Sequence, residues 1–260
     1  MLERLGGLVL GLLAWVGDVA LFGARALYAS VVPPYEFKEI WRQVFEVGWR
    51  SFPLVALSGF AVGVVLSMHT RASLERFGAE AMIPAGLAIA LVRETGPLTA
   101  GLLVAGRVGA GIGAELGAMK VTEQIDALEA VAVDSFKFLA VTRILACIIA
   151  LPLLTTVMDF AGILGGYVAE ASISGMSPQL YLHRAFSLVE FSDFVPATLK
   201  TAVFGFIVGT VASYLGFTTS RGTEGVGRAS TSSVVLASVC IIVVNVVLVK
   251  LIFFMFPDRT

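Results

Sequence analysis

Arg93 and Glu94 are adjacent opposite charges in VRETGPLTAGLL, a stretch otherwise apolar enough to cross a bilayer. Ionisable groups at that depth cost roughly 2.5–3.5 kcal/mol or more and therefore face a cavity or a partner. Pro97 follows four residues after Arg93 and has no N–H to give the Arg93 carbonyl. A kink beside the charges is predicted, with the carbonyl set free. Two charges and a bare carbonyl at one level read as a polar pocket at mid-depth. The alternatives are a static ion pair, or a span that begins later in the sequence. Lys200, one turn into a later apolar run, either meets a lipid phosphate or extends outward to the headgroups. Asp159, beyond Pro152 in another run, is expected to pair with a neighbouring basic group. Asn245 and Lys250 lie in the last run, where packing or snorkelling accounts for them, and they are assigned no role.

Other chemistries are excluded by what the sequence lacks. No glycine precedes any of the five lysines, so there is no G-K-[ST] phosphate loop and no ATPase of that type. His69 and His183 are isolated and too few for a metal site. No Ser-His-Asp set and no usefully spaced carboxylate pair occurs, so neither enzymatic activity nor a cofactor of its own is expected. Gly109–Ala114 matches G-x-G-x-x-A, but no strand precedes it, and a dinucleotide site is rejected. Cys147 and Cys240 sit in apolar runs as small hydrophobes, without a disulfide framework.

The elements that must position these residues are helices in a membrane. Of the 260 residues, 57% are hydrophobic and 14% charged, against about 25% charged in soluble domains. The net charge of -1 leaves no basic surplus for nucleic acid. The chain reads as an all-α integral membrane protein of one domain, residues 1–260, with residues 1–50 as interfacial helix and connector and residues 51–256 as a five-span bundle. Residues 2–30 are apolar but interrupted by Glu3, Arg4, Asp18 and Arg25, as suits an amphipathic helix in the headgroup plane. The run Leu5–Gly17 behind Arg4 is the lesser alternative, a signal-peptide core, with a poor cleavage site at Ala24-Arg25-Ala26. Residues 33–50 read as a connector and a short amphipathic helix, with Trp41 and Trp49 suited to an interface. The five spans cover about 51–68, 82–106, 139–168, 195–219 and 232–256. With the N-terminus cytoplasmic, eleven basic residues lie inside (Arg221 and Arg228 among them) and five outside, including Arg71, Arg76 and Arg259, so the C-terminus lies outside.

Residues 107–138 then form a long cytoplasmic connection, 169–194 an outer segment with Gly175 and Pro178 as breakers before a short helix, and 218–231 a cytoplasmic loop. The pairs Gly59/Gly63 and Gly205/Gly209, and Gly106, Gly109, Gly113 and Gly117, read as close packing within or between protomers. Thr122 can cap a helix carrying Glu123 and Asp126 in its first turn, with Val121, Ile125, Leu128 and Ala132 as its apolar stripe. That helix is either a solvated loop helix or one that docks in a cleft on a cytoplasmic partner.

The segment VRETGPLTAGLLVAGRVGAGIGAELGAMKVTEQIDALEAVAVD, followed by TRILA and LPLLT, closely resembles the MlaE/YrbE permease family, and the likeness covers nearly the whole chain. It implies a permease of an ATP-binding-cassette transporter that moves phospholipids between inner and outer membranes and maintains outer-membrane lipid asymmetry. It also implies a homodimer around a lipid cavity in the bacterial inner membrane, cytoplasmic ATPase subunits that bind ATP and Mg, a periplasmic hexamer of MCE-domain proteins and a STAS-domain regulator. By position, the resemblance places lipid contacts at Arg93, Glu94, Lys200, Leu66 and Phe77, the last standing where some members carry tyrosine. It maps a coupling helix onto Glu115–Val131, with Lys120, Glu123, Gln124 and Asp126 facing the ATPase. Two rival readings stand beside this one: a secondary transporter or channel using the intramembrane charges, and a passive anchor for a periplasmic lipid-binding complex.

Overall fold

The computed structural model describes residues 2–220 and 222–255, and their side chains apart from residues 2–9 and 12. The side chains of Glu3 and Arg4, and Arg221 and Arg259, lie outside the described residues; the three arginines are among the basic residues counted for orientation. Every regular element among the described residues is helical, and five helical stretches are long and apolar enough to cross a membrane. The chain is an all-α integral membrane protein.

Helix α1 spans Leu2–Val31 and α2 spans Phe37–Leu74. The expected division near residue 50 is absent: α2 runs unbroken through Pro53. The amphipathic stretch from residue 37 continues directly into the apolar run, and no capping residue interrupts it; one missing N–H does not end a helix that packs along its length. A 3₁₀ turn at Glu75–Phe77 closes α2. There Gly78 takes φ 65° and the Ala79 N–H bonds the Leu74 carbonyl, which are the usual means of satisfying a helix C-terminus.

The second span is built in pieces: α3 (Ile83–Ala90), a π-turn at Leu91–Thr95, α4 (Gly96–Val104), a second π-turn at Ala105–Gly109, and α5 (Ala110–Val121). Helix therefore continues through residues 107–121, which sequence reading gave to a connection. Packing overrides the low helix propensity of glycine here. A Cβ on Gly113 would lie 2.4 Å from Ser233 Oγ, and one on Gly117 would lie 3.0 Å from Thr219 Oγ1. The break comes at Thr122–Glu123. The Thr122 hydroxyl donates back to the Ala118 carbonyl (2.8 Å), so it closes α5 instead of capping the next helix. Glu123 adopts φ 59° before the short α6 (Gln124–Ala130). The stretch 115–131 is thus two helices at a left-handed corner, not one.

After a π-turn at Phe136–Val141, α7 (Thr142–Ser174) contains Pro152 and ends at Gly175, φ 65°. Ser177 then caps α8 (Pro178–Ala185), as the breakers predicted. Helix α9 covers Phe191–Phe217, and α10 covers Gly222–Met255. Most of the expected 218–231 loop is therefore helix. Ser230 donates to the Ala110 carbonyl (3.1 Å), anchoring the first turns of α10 on α5.

The chain forms two compact units: Met1–Val44 with Ala105–Cys147 and Phe206–Ala237, and Phe45–Val104 with Ile148–Gly205 and Ser238–Thr260. In the first, the Phe22 ring packs edge-on to Phe136 and Tyr214, with centroids 5.0 and 5.7 Å away, and Arg25 lies 4.3 Å over the Phe136 ring. Lys137 Nζ donates to the Val32 carbonyl (2.8 Å), tying the end of α1 to the turn before α7. In the second, α2 and α7 touch backbone to backbone. A Cβ on Gly63 would fall 1.9 Å from the Gly162 carbonyl oxygen, and one on Gly165 would fall 2.1 Å from that of Phe60. The GxxxG pair Gly59/Gly63 is thus used within the chain. Leu87, Leu91, Ile163 and Tyr181 make a core cluster beside it.

Candidate functional site

Within the second unit, side chains from the second span, α9 and α10 converge on the Leu91–Thr95 π-turn. Pro97 leaves the Arg93 carbonyl without its helical donor, and Lys200 Nζ fills that position at 2.9 Å. The same ammonium donates to Glu94 Oε2 (2.7 Å), and Asn245 Nδ2 donates to Glu94 Oε1. Arg93 turns the other way, with Nε 3.0 Å and a terminal nitrogen 2.9 Å from Asp193 Oδ1. Asp193 Oδ2 accepts the Glu190 backbone N–H at 3.1 Å, which fixes the carboxylate at the start of α9. The Lys200 and Asp193 side chains are 2% and 3% exposed, whereas those of Arg93 and Glu94 are 36% and 43% exposed. Two buried charges on α9 therefore hold two half-open charges of the second span. Beside them lies a cavity of about 220 Å³, walled by Arg93, Glu94, Asp193 and Lys200 on one side and by Ala197, Val249, Ile252 and Phe253 on the other.

This arrangement corrects several expectations. Arg93 and Glu94 do not pair with each other; each bonds to a residue of α9. Lys200 points inward to Glu94 instead of extending to headgroups. Asp193, placed by sequence in an outer segment, belongs to the site. Its position seven residues before Lys200 put both on one face of α9, a usable but overlooked signal. Asn245 has a partner here, and Lys250 is exposed.

Asp159 was expected to pair with a basic group, but it is 2% exposed and neither carboxylate oxygen has a hydrogen-bond partner. A Cβ on Gly96 would lie 1.8 Å from its Oδ1, so only glycine fits there. Leu66 packs on the core cluster, and Phe77 is 83% exposed in the turn after α2.

A second ionic group went unread in the sequence. Glu170, fully buried on α7, accepts from Arg71 Nη2 (2.5 Å), Arg71 Nε (3.2 Å) and Ser67 Oγ (3.0 Å) of α2. Tyr181 of α8 is also buried, and burial, with the Glu170 charge in second place, raises its pKa above that of an ordinary phenol.

In the first unit, Lys120 Nζ and Asp126 Oδ1 lie 2.8 Å apart across the α5–α6 corner. Glu123, Gln124 and Asp126 are exposed, while Ile125 is buried and anchors α6. Arg143, itself buried, bonds Glu115 at 2.7 Å and secures the middle of α5 against α7. No group of His, Cys, Asp and Glu among the described residues is placed to hold a metal ion.

Comparison with known proteins agrees with this architecture. The family described as Permease MlaE matches residues 40–251. A probable ABC transporter permease protein of Rickettsia bellii is 38% identical over 238 residues, 92% of each chain. A probable ABC transporter permease protein of Synechocystis sp. is 33% identical over 211 residues, 81% of this chain and 80% of the other. The chloroplastic protein trigalactosyldiacylglycerol 1 of Arabidopsis thaliana is 32% identical over 235 residues, 90% of this chain and 67% of the other. The chain therefore belongs to the MlaE permease family and is a multi-pass permease subunit, not itself the ATPase.

Proposed function

We propose that this permease moves phospholipid between the inner and outer membranes, driven by separate cytoplasmic ATPase subunits, and thereby maintains outer-membrane lipid asymmetry. The observation that carries this reading is the cavity of about 220 Å³ in the second unit, where an aliphatic and aromatic wall faces Arg93, Glu94 and Lys200. Apolar lining suits acyl chains, and half-exposed Arg93 offers guanidinium N–H groups to a phosphate. The cavity is small for a whole lipid, and a second copy of the chain completes it in the homodimer. The names of the bacterial relatives support ATPase partners, and the Arabidopsis relative carries the name of a glycolipid.

The charges in the site are matched to partners, which suits a fixed wall better than the ion path of a channel or secondary transporter. The exposed face of Lys120, Glu123, Gln124 and Asp126 is the surface that meets the ATPase; ATP and Mg belong to that subunit. A periplasmic MCE-domain hexamer and a STAS-domain regulator complete the assembly in the inner membrane, with this chain's N-terminus cytoplasmic and its C-terminus periplasmic.

The test is reconstitution of the complex purified from native membranes in liposomes containing labelled phospholipid. ATP-dependent lipid movement is expected, with a fall of roughly tenfold or more for Lys200→Met, because Glu94 and the Arg93 carbonyl then lose a shared partner. Movement without any ATPase, or an unaffected Lys200→Met complex, contradicts the proposal.

A further inference from the structure

The cavity beside the Leu91–Thr95 π-turn presents two opposite charges that do not cancel each other. Arg93 and Glu94 are consecutive, yet Asp193 draws the first and Lys200 the second, so both stay apart on the wall of one cavity. Each has bonding capacity left over. Arg93 engages Asp193 through two of its three nitrogens, and both it and Glu94 remain half-exposed. An ionised carboxylate accepts about four hydrogen bonds, and Glu94 takes one from Lys200 and one from Asn245. The other two charges of the wall, Asp193 and Lys200, are buried behind their partners. Glu94 is therefore the carboxylate that an incoming cation can reach, and Arg93 the cation that an incoming anion can reach. The remaining lining residues, Ala197, Val249, Ile252 and Phe253, offer no polar side chain that could replace either.

We infer that this cavity selects zwitterionic headgroups, with Arg93 on the phosphate and Glu94 on the ammonium, and that Glu94 is the specificity-determining residue. The lining charges already balance, two positive against two negative. A headgroup with a net negative charge brings an uncompensated charge to a wall of low dielectric, where such a charge is costly. A headgroup that carries a phosphate and an ammonium brings none, and it gains a charge-assisted hydrogen bond at each end. Discrimination therefore comes as much from the penalty on the anionic headgroup as from the contact made with the zwitterion. The inference rests on the phospholipid reading given above and goes beyond it by naming the headgroup class.

The experiment is competitive retention on the complex purified from native membranes, offered equal dioleoyl phosphatidylethanolamine and dioleoyl phosphatidylglycerol and read by native mass spectrometry. The two lipids share the phosphate and the chains and differ in the amine, so their ratio reads Glu94. A preference of roughly tenfold for the ethanolamine lipid is expected in the unaltered complex. Glu94→Gln leaves the wall with an excess positive charge, and the ratio is expected to invert to about threefold in favour of the glycerol lipid. Glu94→Asp keeps the charge and is expected to stay within about threefold of the unaltered ratio, which separates loss of charge from loss of fold. Arg93→Gln is expected to lower retention of both lipids while the ethanolamine lipid keeps its advantage. Damage to packing alone would lower both lipids alike and leave the ratio where it was. Equal retention by the unaltered complex overturns the inference and leaves the phospholipid reading standing, and an unchanged ratio in Glu94→Gln does the same. Retention of neither lipid removes the phospholipid reading and the inference with it. Glycerophosphoethanolamine, the same headgroup without chains, is expected not to displace the lipid at equal concentration. Displacement would assign the site to a soluble zwitterion and overturn the lipid assignment.

Discussion

The two compact units use charge in opposite ways. In the second, Glu170, Asp193 and Lys200 are each almost wholly buried and bonded to partners on other segments. In the first, Glu123 lies exposed at the left-handed corner and Asp126 exposed on the short α6, which is seated by the buried Ile125. A buried ionic network allows one geometry, because removing any member strands another in a medium of low dielectric. Surface charges carry little stability and are free to match a partner. Arg143, buried in the first unit, marks where that freedom ends: its bond to Glu115 fixes the helix from which the exposed corner projects.

The contrast is testable by substitution, beginning with the largest effect. Arg71→Met leaves Glu170 with only the Ser67 hydroxyl, and a loss of about 3–5 kcal/mol is expected in thermal or denaturant unfolding of the detergent-solubilised protein. A loss under 1 kcal/mol would show that Glu170 is not held as a buried charge. Gly63→Ala drives a methyl against the Gly162 carbonyl, and a loss of about 1–3 kcal/mol is expected from overpacking. Gly111→Ala meets nothing within 4 Å and is expected to gain up to about 1 kcal/mol from helix propensity, measured by the same unfolding experiment. Similar losses from both would contradict the packing described for α2 and α7. Glu123→Gly removes a side chain from a left-handed backbone, which roughly offsets glycine's entropic cost, so stability should stay within about 0.5 kcal/mol. Asp126→Asn, smallest of all in stability at under about 0.5 kcal/mol, is nevertheless expected to lower lipid-stimulated ATP hydrolysis in the assembled complex. Unchanged hydrolysis would remove Asp126 from the proposed ATPase contact.

The sequence reveals the parts of this site more readily than their connections. Arg93, Glu94 and Lys200 stand out because charge inside an apolar run is expensive wherever it occurs. Pro97 further marks the Arg93 carbonyl as free, and the structure supplies Lys200 as its donor. The partner identities are non-local: nothing near residue 93 specifies Asp193, and nothing near residue 170 specifies Arg71. Helix ends were misplaced for a related reason. Glycine and threonine around 218–231 carry turn signals, yet the Ser230 contact holds most of that stretch helical. The glycines of 106–117, read as packing positions, do pack at Gly113 and Gly117, and that contact carries helix past the expected end of the span. At Gly175 and Pro178, where no such packing competes, the local signals suffice.

The most direct test of a lipid-handling permease is photocrosslinking of the purified complex with a phospholipid carrying a photoreactive group on one acyl chain, followed by peptide mapping. The account predicts adducts concentrated on the cavity residues Ala197, Val249, Ile252 and Phe253, and reduced in Lys200→Met. Adducts spread evenly over the exposed apolar faces of α2 and α10, with none at those four positions, would contradict it.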